Sequence, residues 1–255
     1  MPEGLEAEIW RSAIEVIVGR TIETAWVDER VAAPGFGAAI TDTTITGVRR
    51  AGKIVLVDTD GPTIGLHFGM TGRVVIDGAA PIARLQYASA RDDPEWDRLR
   101  VFAGGEIPAI RFNDPRRLGR LSLDPDVSAL GVDFTSVTGI RLARAIAGRR
   151  SAIKTVLLDQ TVIAGLGNLC ADEVLWWAGV DPRRTADTLD TAEVDRLANT
   201  IRRRLAIMLR RGGSHRGTLS PAVRARCPPC DRDGEPLRRE TIGGRTAVWC
   251  SRHQR

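Results

Sequence analysis

The sequence predicts an α+β protein assembled, in order, from an N-terminal helix, a β-sandwich, a helical domain and a small C-terminal hairpin. Three observations carry this prediction. Short β-branched runs recur between turn residues from 21 to 123, the apolar spacing turns helical past Leu123-Asp-Pro-Asp126, and two Cys/His pairs flank a hairpin pattern near the end. The domain limits that follow are 1–130, 131–220 and 221–255.

The first element spans 3–18, where Ile9, Ala13, Ile14 and Ile17 recur at helical spacing and Gly19 suits the stop. Strands are expected at 21–27, 44–48, 54–59, 63–68, 73–76, 99–102, 109–112 and 118–123. Their separators include Gly52, Asp60-Gly61-Pro62, Asp77-Gly78 and Gly104-Gly105. So many strands at short spacing suggest a sandwich or barrel. Helices follow at 140–147, 151–158, 168–178 and 191–211. In the last, Asp190 and Glu193 have capping-box spacing, Gly212-Gly213 ends it, and Leu197, Ile201, Leu205 and Met208 form one apolar face. Arg202, Arg203 and Arg210 lie opposite. The domain boundaries leave a cleft as the natural place for a ligand.

Cys227-Pro-Pro-Cys230 and Cys250-Ser-Arg-His253 are two ligand pairs, each with two residues between its members. One tight turn can present such a pair to a tetrahedral ion, and two pairs complete a closed Cys3His shell, the pattern of one structural zinc. Residues 237–249 between them read as a hairpin turning at Gly243-Gly244. A ribbon this short buries too little apolar surface to fold unaided, so the ion holds it together.

Charge is divided along the chain. Residues 1–134 hold 15 Lys+Arg against 20 Asp+Glu, and residues 135–255 hold 22 against 12, within totals of 37 and 32. A basic half of this kind grips a polyanion, and nucleic acid is the expected partner. Lys53 and Lys154 are the only lysines in an arginine-rich background, which suits compact point charges. No apolar run is long enough to span a membrane. The acidic start argues against a secretory signal, and cysteines that gather, all but Cys170, in one metal site suit a reducing cytoplasm.

Ile163-Ala-Gly165-Leu-Gly167-Asn168 joins two helical runs through paired glycines, which lets backbone approach a phosphate at the next helix N-terminus. Lys154 and the Asn168 side chain are candidates to complete that grip.

With this segment, the chain resembles the formamidopyrimidine-DNA glycosylase / endonuclease VIII family of base-excision repair enzymes over nearly its whole length. The matching pieces are Pro2-Glu3, Arg50-Ala-Gly-Lys53, His67-Phe-Gly-Met70-Thr-Gly72, Asn113-Asp-Pro-Arg-Arg-Leu-Gly119, Ile153-Lys154 through Asp172-Glu173, Gly212-Gly-Ser214 and Gly243-Gly-Arg245. The resemblance implies a β-sandwich, a helix–two-turn–helix domain and a zinc finger. It further implies a monomeric, bacterial cytoplasmic enzyme that reaches the nucleoid through damaged double-stranded DNA.

The roles it implies are specific. Pro2, freed by removal of Met1, would expose a secondary amine with a pKa near the ~8 of an ordinary α-amino group. That amine attacks the sugar C1′, expels the base and forms an iminium that drives β-elimination. Glu3 is the companion acid/base, Glu6 lies near the extruded base, and Lys53 joins the catalytic group. Lys53, His67, Asn168 and Arg245 form a phosphate clamp, with Lys154, Gly167 and Arg117 as further DNA contacts. Met70, Arg116 and Leu118 fill the gap left by an everted base, Arg116 facing the orphaned partner and Leu118 entering the stack.

Several residues depart from the family pattern. Leu118 stands where phenylalanine is frequent, Cys170 where tyrosine is usual, and His253 where a fourth cysteine is usual. Only residues 215–226 separate Ser214 from Cys227, too few for the long loop that caps 8-oxoguanine in the formamidopyrimidine branch. The missing cap favours oxidised pyrimidine, hydantoin or ring-opened lesions. The alternatives are an 8-oxoguanine/formamidopyrimidine-type glycosylase, a non-catalytic damaged-DNA binder and a zinc-ribbon nucleic-acid adaptor.

Overall fold

The structure, a computed structural model, describes residues 2–83, 85 and 89–255. It is mixed α and β, and the chain forms two compact units, Met1–Ser128 and Ala129–Arg255. The C-terminal hairpin belongs to the second unit.

The first unit opens with α1 (Gly4–Ile14), continued by a 3₁₀ turn at Glu15–Ile17. Then come β1 (Thr24–Val27), a short α2 (Phe36–Ile40), β2 (Ile45–Ala51), β3 (Ile54–Thr59), β4 (Ile64–His67), β5 (Arg73–Ile76), β6 (Asp97–Phe102), β7 (Ile110–Asn113) and β8 (Arg120–Leu123). They make two four-stranded antiparallel sheets, ordered β1-β6-β7-β5 and β2-β3-β4-β8. One continuous apolar core lies between them. Trp10 and Ile14 of α1 enter it, and the Trp10 ring lies 4.0 Å from that of Phe68, which lies 5.6 Å from Phe112. α1 thus buries its apolar stripe on the sandwich, which fixes the start of the chain against the sheets.

The second unit contains β9 (Val132–Asp133), α3 (Gly139–Ile146), α4 (Ile153–Leu158), β10 (Ile163–Ala164), α5 (Asn168–Ala178), α6 (Thr191–Arg210), α7 (Pro221–Arg226), β11 (Arg238–Ile242) and β12 (Arg245–Trp249). α6 starts at the expected Asp190/Glu193 capping box. α5 is buried along most of its length, as a central helix should be. The hairpin β11–β12 turns at Gly243-Gly244, both at positive φ, with Ile242 opposite Arg245, the two-residue turn its sequence predicts. Trp176, Leu219, Leu237 and Val248 pack together beneath it. No helix among the described residues is long and apolar enough to cross a membrane.

Candidate nucleic-acid interface and metal centre

At the amino terminus, Glu3 caps α1. Its backbone N–H donates to Glu6 Oε2 at 2.7 Å, and the Glu3 side chain accepts from the Glu6 backbone in return. Pro2 is buried beside them, Glu3 is 2% exposed and Glu6 3%. A reciprocal cap on a buried helix start holds the Pro2-Glu3 step in one conformation. Glu6 is therefore committed to shaping that step. Met1 lies outside the described residues, so its removal remains an expectation.

Lys53 occupies the two-residue turn between β2 and β3, where Gly52 takes φ +57°. Arg50 shapes this turn through Glu8 (2.9 Å) and the Gly52 carbonyl (2.7 Å). The register pairs Ile54 with His67 and His67 with Arg120, so Lys53, His67 and Arg120 share one edge of the sheet. Arg120 was not singled out by the sequence, because an isolated arginine in an arginine-rich chain carries no signal.

The His67 ring is solvent-accessible at that edge. Desolvation against the sheet, and then the charges of Lys53 and Arg120, hold its pKa below the ordinary 6.5. The unfolded chain therefore takes up the proton more readily, so His67 costs folding stability as pH falls through 6.5. A phosphate beside the ring favours the imidazolium, which gives binding the opposite dependence. Affinity for an abasic-analogue duplex should rise about threefold from about pH 8 to 6, and His67→Gln should flatten that rise. Binding isotherms across this range check it.

Two loops meet at the position expected for the wedge. A Cβ on Gly69, at φ +54°, would lie 2.3 Å from the Leu118 carbonyl oxygen, so the Met70 turn packs directly on the 114–119 loop. Asp114 organises both. It accepts from the Thr71 hydroxyl, from Gly119 N–H at 2.7 Å and from Arg116 N–H at 3.2 Å. Leu118 projects with 43% exposure, and the Arg116 guanidinium has no partner among the described residues. Arg117 is tethered as well as exposed: its Nε bonds Asp28 at 3.1 Å, which braces the loop while 40% of the side chain stays open to solvent. Gly69→Ala forces both a backbone clash and a disfavoured φ. It should cost about 1–3 kcal/mol, measured by thermal melting.

In the second unit, Gly165 (φ +96°) and the N-cap Gly167 lead into α5, whose first residue is Asn168. The Asn168 Oδ1 is buried with no hydrogen-bond partner among the described residues, an orphaned polar atom of the kind a ligand satisfies. Arg245 follows the glycine turn and is exposed, and its guanidinium has no partner among the described residues. A Cβ on Gly243 would meet Thr155 Oγ1 at 2.4 Å, so the hairpin tip lies hard against α4.

Lys154 corrects the sequence expectation. It is 0% exposed, with Nζ 2.5 Å from Asp172 Oδ1 and 2.8 Å from the Thr246 carbonyl. Arg224 bonds the other Asp172 oxygen and reaches Thr246 O at 2.8 Å, while Val248 N–H donates to Asp172 at 2.9 Å. A lysine sealed into this network does not meet phosphate. It fixes the strand that begins at Arg245. Asp172 and Glu173 were quoted in the sequence motif without a role. Glu173 is also buried and accepts from Arg204, Trp177 and the Thr218 and Leu219 N–H groups.

The metal site is corrected at one position. The donors that converge are Cys230, Asp233, Cys250 and His253, all within 4.8 Å of one another. Cys227 is not among them: it ends α7 at φ +46°, and its thiol faces the Arg224 carbonyl at 3.5 Å. Asp233 enters because the turn closed by Gly234 N–H to Cys230 O brings its carboxylate 2.8 Å from His253 Nδ1. His253 Nε2 lies 3.2 Å from the Trp176 carbonyl, so an Nε2–H tautomer leaves Nδ1 for an ion. Burial pushes the Cys250 thiol up to about 11, against the pull of nearby backbone N–H groups, so its thiolate calls for a cation. Two sulfurs, one imidazole and one carboxylate fit a structural metal ion.

Comparison with known proteins agrees with this architecture. The family model for the formamidopyrimidine-DNA glycosylase N-terminal domain matches residues 1–121, and that for the H2TH domain matches 124–219. The chain is 37% identical to a formamidopyrimidine-DNA glycosylase of Moorella thermoacetica over 87% of this chain and 80% of that one. It is 32% identical to the enzyme of that name from Stutzerimonas stutzeri over the whole of both chains. Among solved structures, the complex of Lactococcus lactis Fpg with abasic-site DNA has a TM-score of 0.82 at 24% identity, covering 99% of each chain, a likeness of fold.

Proposed function

The chain belongs to the formamidopyrimidine-DNA glycosylase family, and from that premise we propose that it is a bifunctional DNA glycosylase/AP lyase acting on oxidised bases in duplex DNA. The observation that carries the mechanism is the buried, capped Pro2-Glu3 step at the head of α1. With Met1 removed, the Pro2 nitrogen forms a bond to C1′ as the bond to the base breaks. Glu3 protonates the ring oxygen, the sugar opens, and the nitrogen lone pair gives an iminium. Loss of the C2′ proton then expels the 3′ phosphate, the iminium taking the electrons. Lys53, His67, Asn168 and Arg245 hold the flanking phosphates, and Met70, Arg116 and Leu118 occupy the vacated stack.

The proposed range is ring-opened purines, hydantoins and oxidised pyrimidines ahead of 8-oxoguanine. Residues 215–226 are consumed by a 3₁₀ turn, by α7, and by the Gly217–Ser220 link that Glu173 pins at Thr218 and Leu219. That leaves no free segment to fold over a base. The second reading, an 8-oxoguanine/formamidopyrimidine-type enzyme, is favoured by the name the relatives share. Excision rates on a duplex lesion panel decide between them: 8-oxoguanine processed as fast as a ring-opened purine supports the second.

One zinc ion is the proposed occupant of the C-terminal site, with Cys230, Cys250 and His253 as ligands and the fourth place taken by Asp233 in this geometry. Bound there, it supplies structure, not chemistry. Chelation should release the hairpin and abolish DNA binding while leaving the first unit folded, read by tryptophan fluorescence and binding. Cobalt substitution counts the sulfurs: two thiolate contributions agree with Asp233, and three place Cys227 in the shell.

A further inference from the structure

One face of α6 is unexplained by DNA repair chemistry. Arg196, Asn199, Thr200, Arg203 and Ile207 recur at helical spacing along it. Together with Trp177 of α5, they line a groove of about 380 Å³. Trp177 is 39% exposed yet held still: its indole N–H donates to Glu173 at 2.9 Å, and the Arg204 and Arg232 guanidinium carbons lie 4.4 Å and 4.9 Å from its ring. The lining residues include no carboxylate, although Glu173 neutralises the lining Arg204 from behind and Glu193 lies 4.0 Å from Arg196. Arg196 donates to the Ala178 carbonyl at 2.8 Å, which anchors one wall, while the exposed Arg203 has no partner among the described residues.

We propose that this groove is a docking site for an acidic segment of a partner protein, whose one large apolar side chain enters between Trp177 and Ile207 while its carboxylates meet Arg196 and Arg203. Charge complementarity names the occupant. A concave site with an aromatic wall and a rim where Arg203 is unengaged among the described residues and Arg196 meets Glu193 only at 4.0 Å fits an acidic peptide with an apolar anchor. A nucleobase fits less well, since two guanidinium groups already lie over the Trp177 ring and stacking would have to displace them. A rigid indole also removes ordering cost from the docking step. The interaction would bring the protein to other machinery without using the residues assigned to the lesion.

The test uses the full chain and a fluorescein-labelled peptide in which one Phe is flanked on both sides by Asp. Saturable binding that weakens with salt is expected. Arg203→Glu should lower affinity at least about tenfold, as should replacing the peptide's Phe with Ala. Ile207→Ser, in a protein checked to melt like wild type, provides a second variant and should weaken binding similarly. Nicking of an abasic duplex should stay within about twofold in Arg203→Glu, so a failed docking site is distinguishable from a failed repair assignment. The proposal is overturned by absence of saturable binding, by indifference to the Phe or to Arg203, or by competition from undamaged duplex, which would make the groove a nucleic-acid surface.

Discussion

Pro2→Gly should lower base excision and strand nicking together by about a hundredfold or more, because under the proposed mechanism both steps use the fixed pyrrolidine nitrogen, and glycine offers only a flexible primary amine in its place. Glu3→Gln divides them. Losing a positioned proton donor costs base excision about 10²–10⁴-fold, while nicking of a preformed abasic site falls less, since the sugar there is already open. The Glu3 backbone N–H keeps its bond to Glu6 in Glu3→Gln, and the amide oxygen still caps α1, so the helix start should survive. Single-turnover rates on a lesion duplex and on an abasic duplex, measured side by side, check both statements. Equal losses on the two substrates in Glu3→Gln would remove the acid role from Glu3.

Asp172→Ala has the largest expected effect on stability. It strips the shared carboxylate from Lys154, Arg224 and the Val248 N–H, leaving two buried cations uncompensated, at a cost of about 3–5 kcal/mol. The damage should concentrate in the second unit and free the hairpin, which Lys154 and Arg224 both hold through the Thr246 carbonyl. Lys154→Met separates the two roles considered for that lysine. As a structural residue it lowers the melting temperature and leaves the salt dependence of DNA binding unchanged. Lys53→Met, by contrast, should reduce the slope of log K against log salt by about 0.9, the loss of one phosphate contact.

The buried network also shows where sequence reasoning stops. Lys154 in Ile153-Lys-Thr-Val-Leu-Leu158 is a lone charge among hydrophobic residues, and Asp172 with Glu173 is an acidic pair inside an otherwise apolar helix. Read separately, the lysine suits a phosphate; only the tertiary approach of α4, α5 and β12 makes it an internal cation. Cys227 and Asp233 pose the same difficulty, because pair spacing names ligands without fixing the turn between them. Arg117 likewise gave no sign that Asp28, far away in sequence, would tether it.

Elements with strong local signals were legible almost residue by residue. β3 and β5 sit between unambiguous turns, α5 begins after Gly167 and ends at Gly179, and Gly243-Gly244 fixes its hairpin register. α2 was missed because Gly35 and Gly37 suppress the helical signal of a five-residue segment. α7 was also missed, although Ser220-Pro221 is a readable start, with the Ser220 hydroxyl accepting from Val223 N–H. The wedge loops were found from their residue types. Their common anchor, Asp114, emerges only when Thr71 and Gly119 are seen to converge on it.

The most direct measurement of the central claim is borohydride trapping of the processed wild-type protein on a lesion-containing duplex, followed by mass mapping of the adduct. The account predicts a covalent protein–DNA species whose modified peptide begins at Pro2. Robust strand nicking with no trapped species, or an adduct mapped to Lys53 in place of the amino terminus, would contradict it.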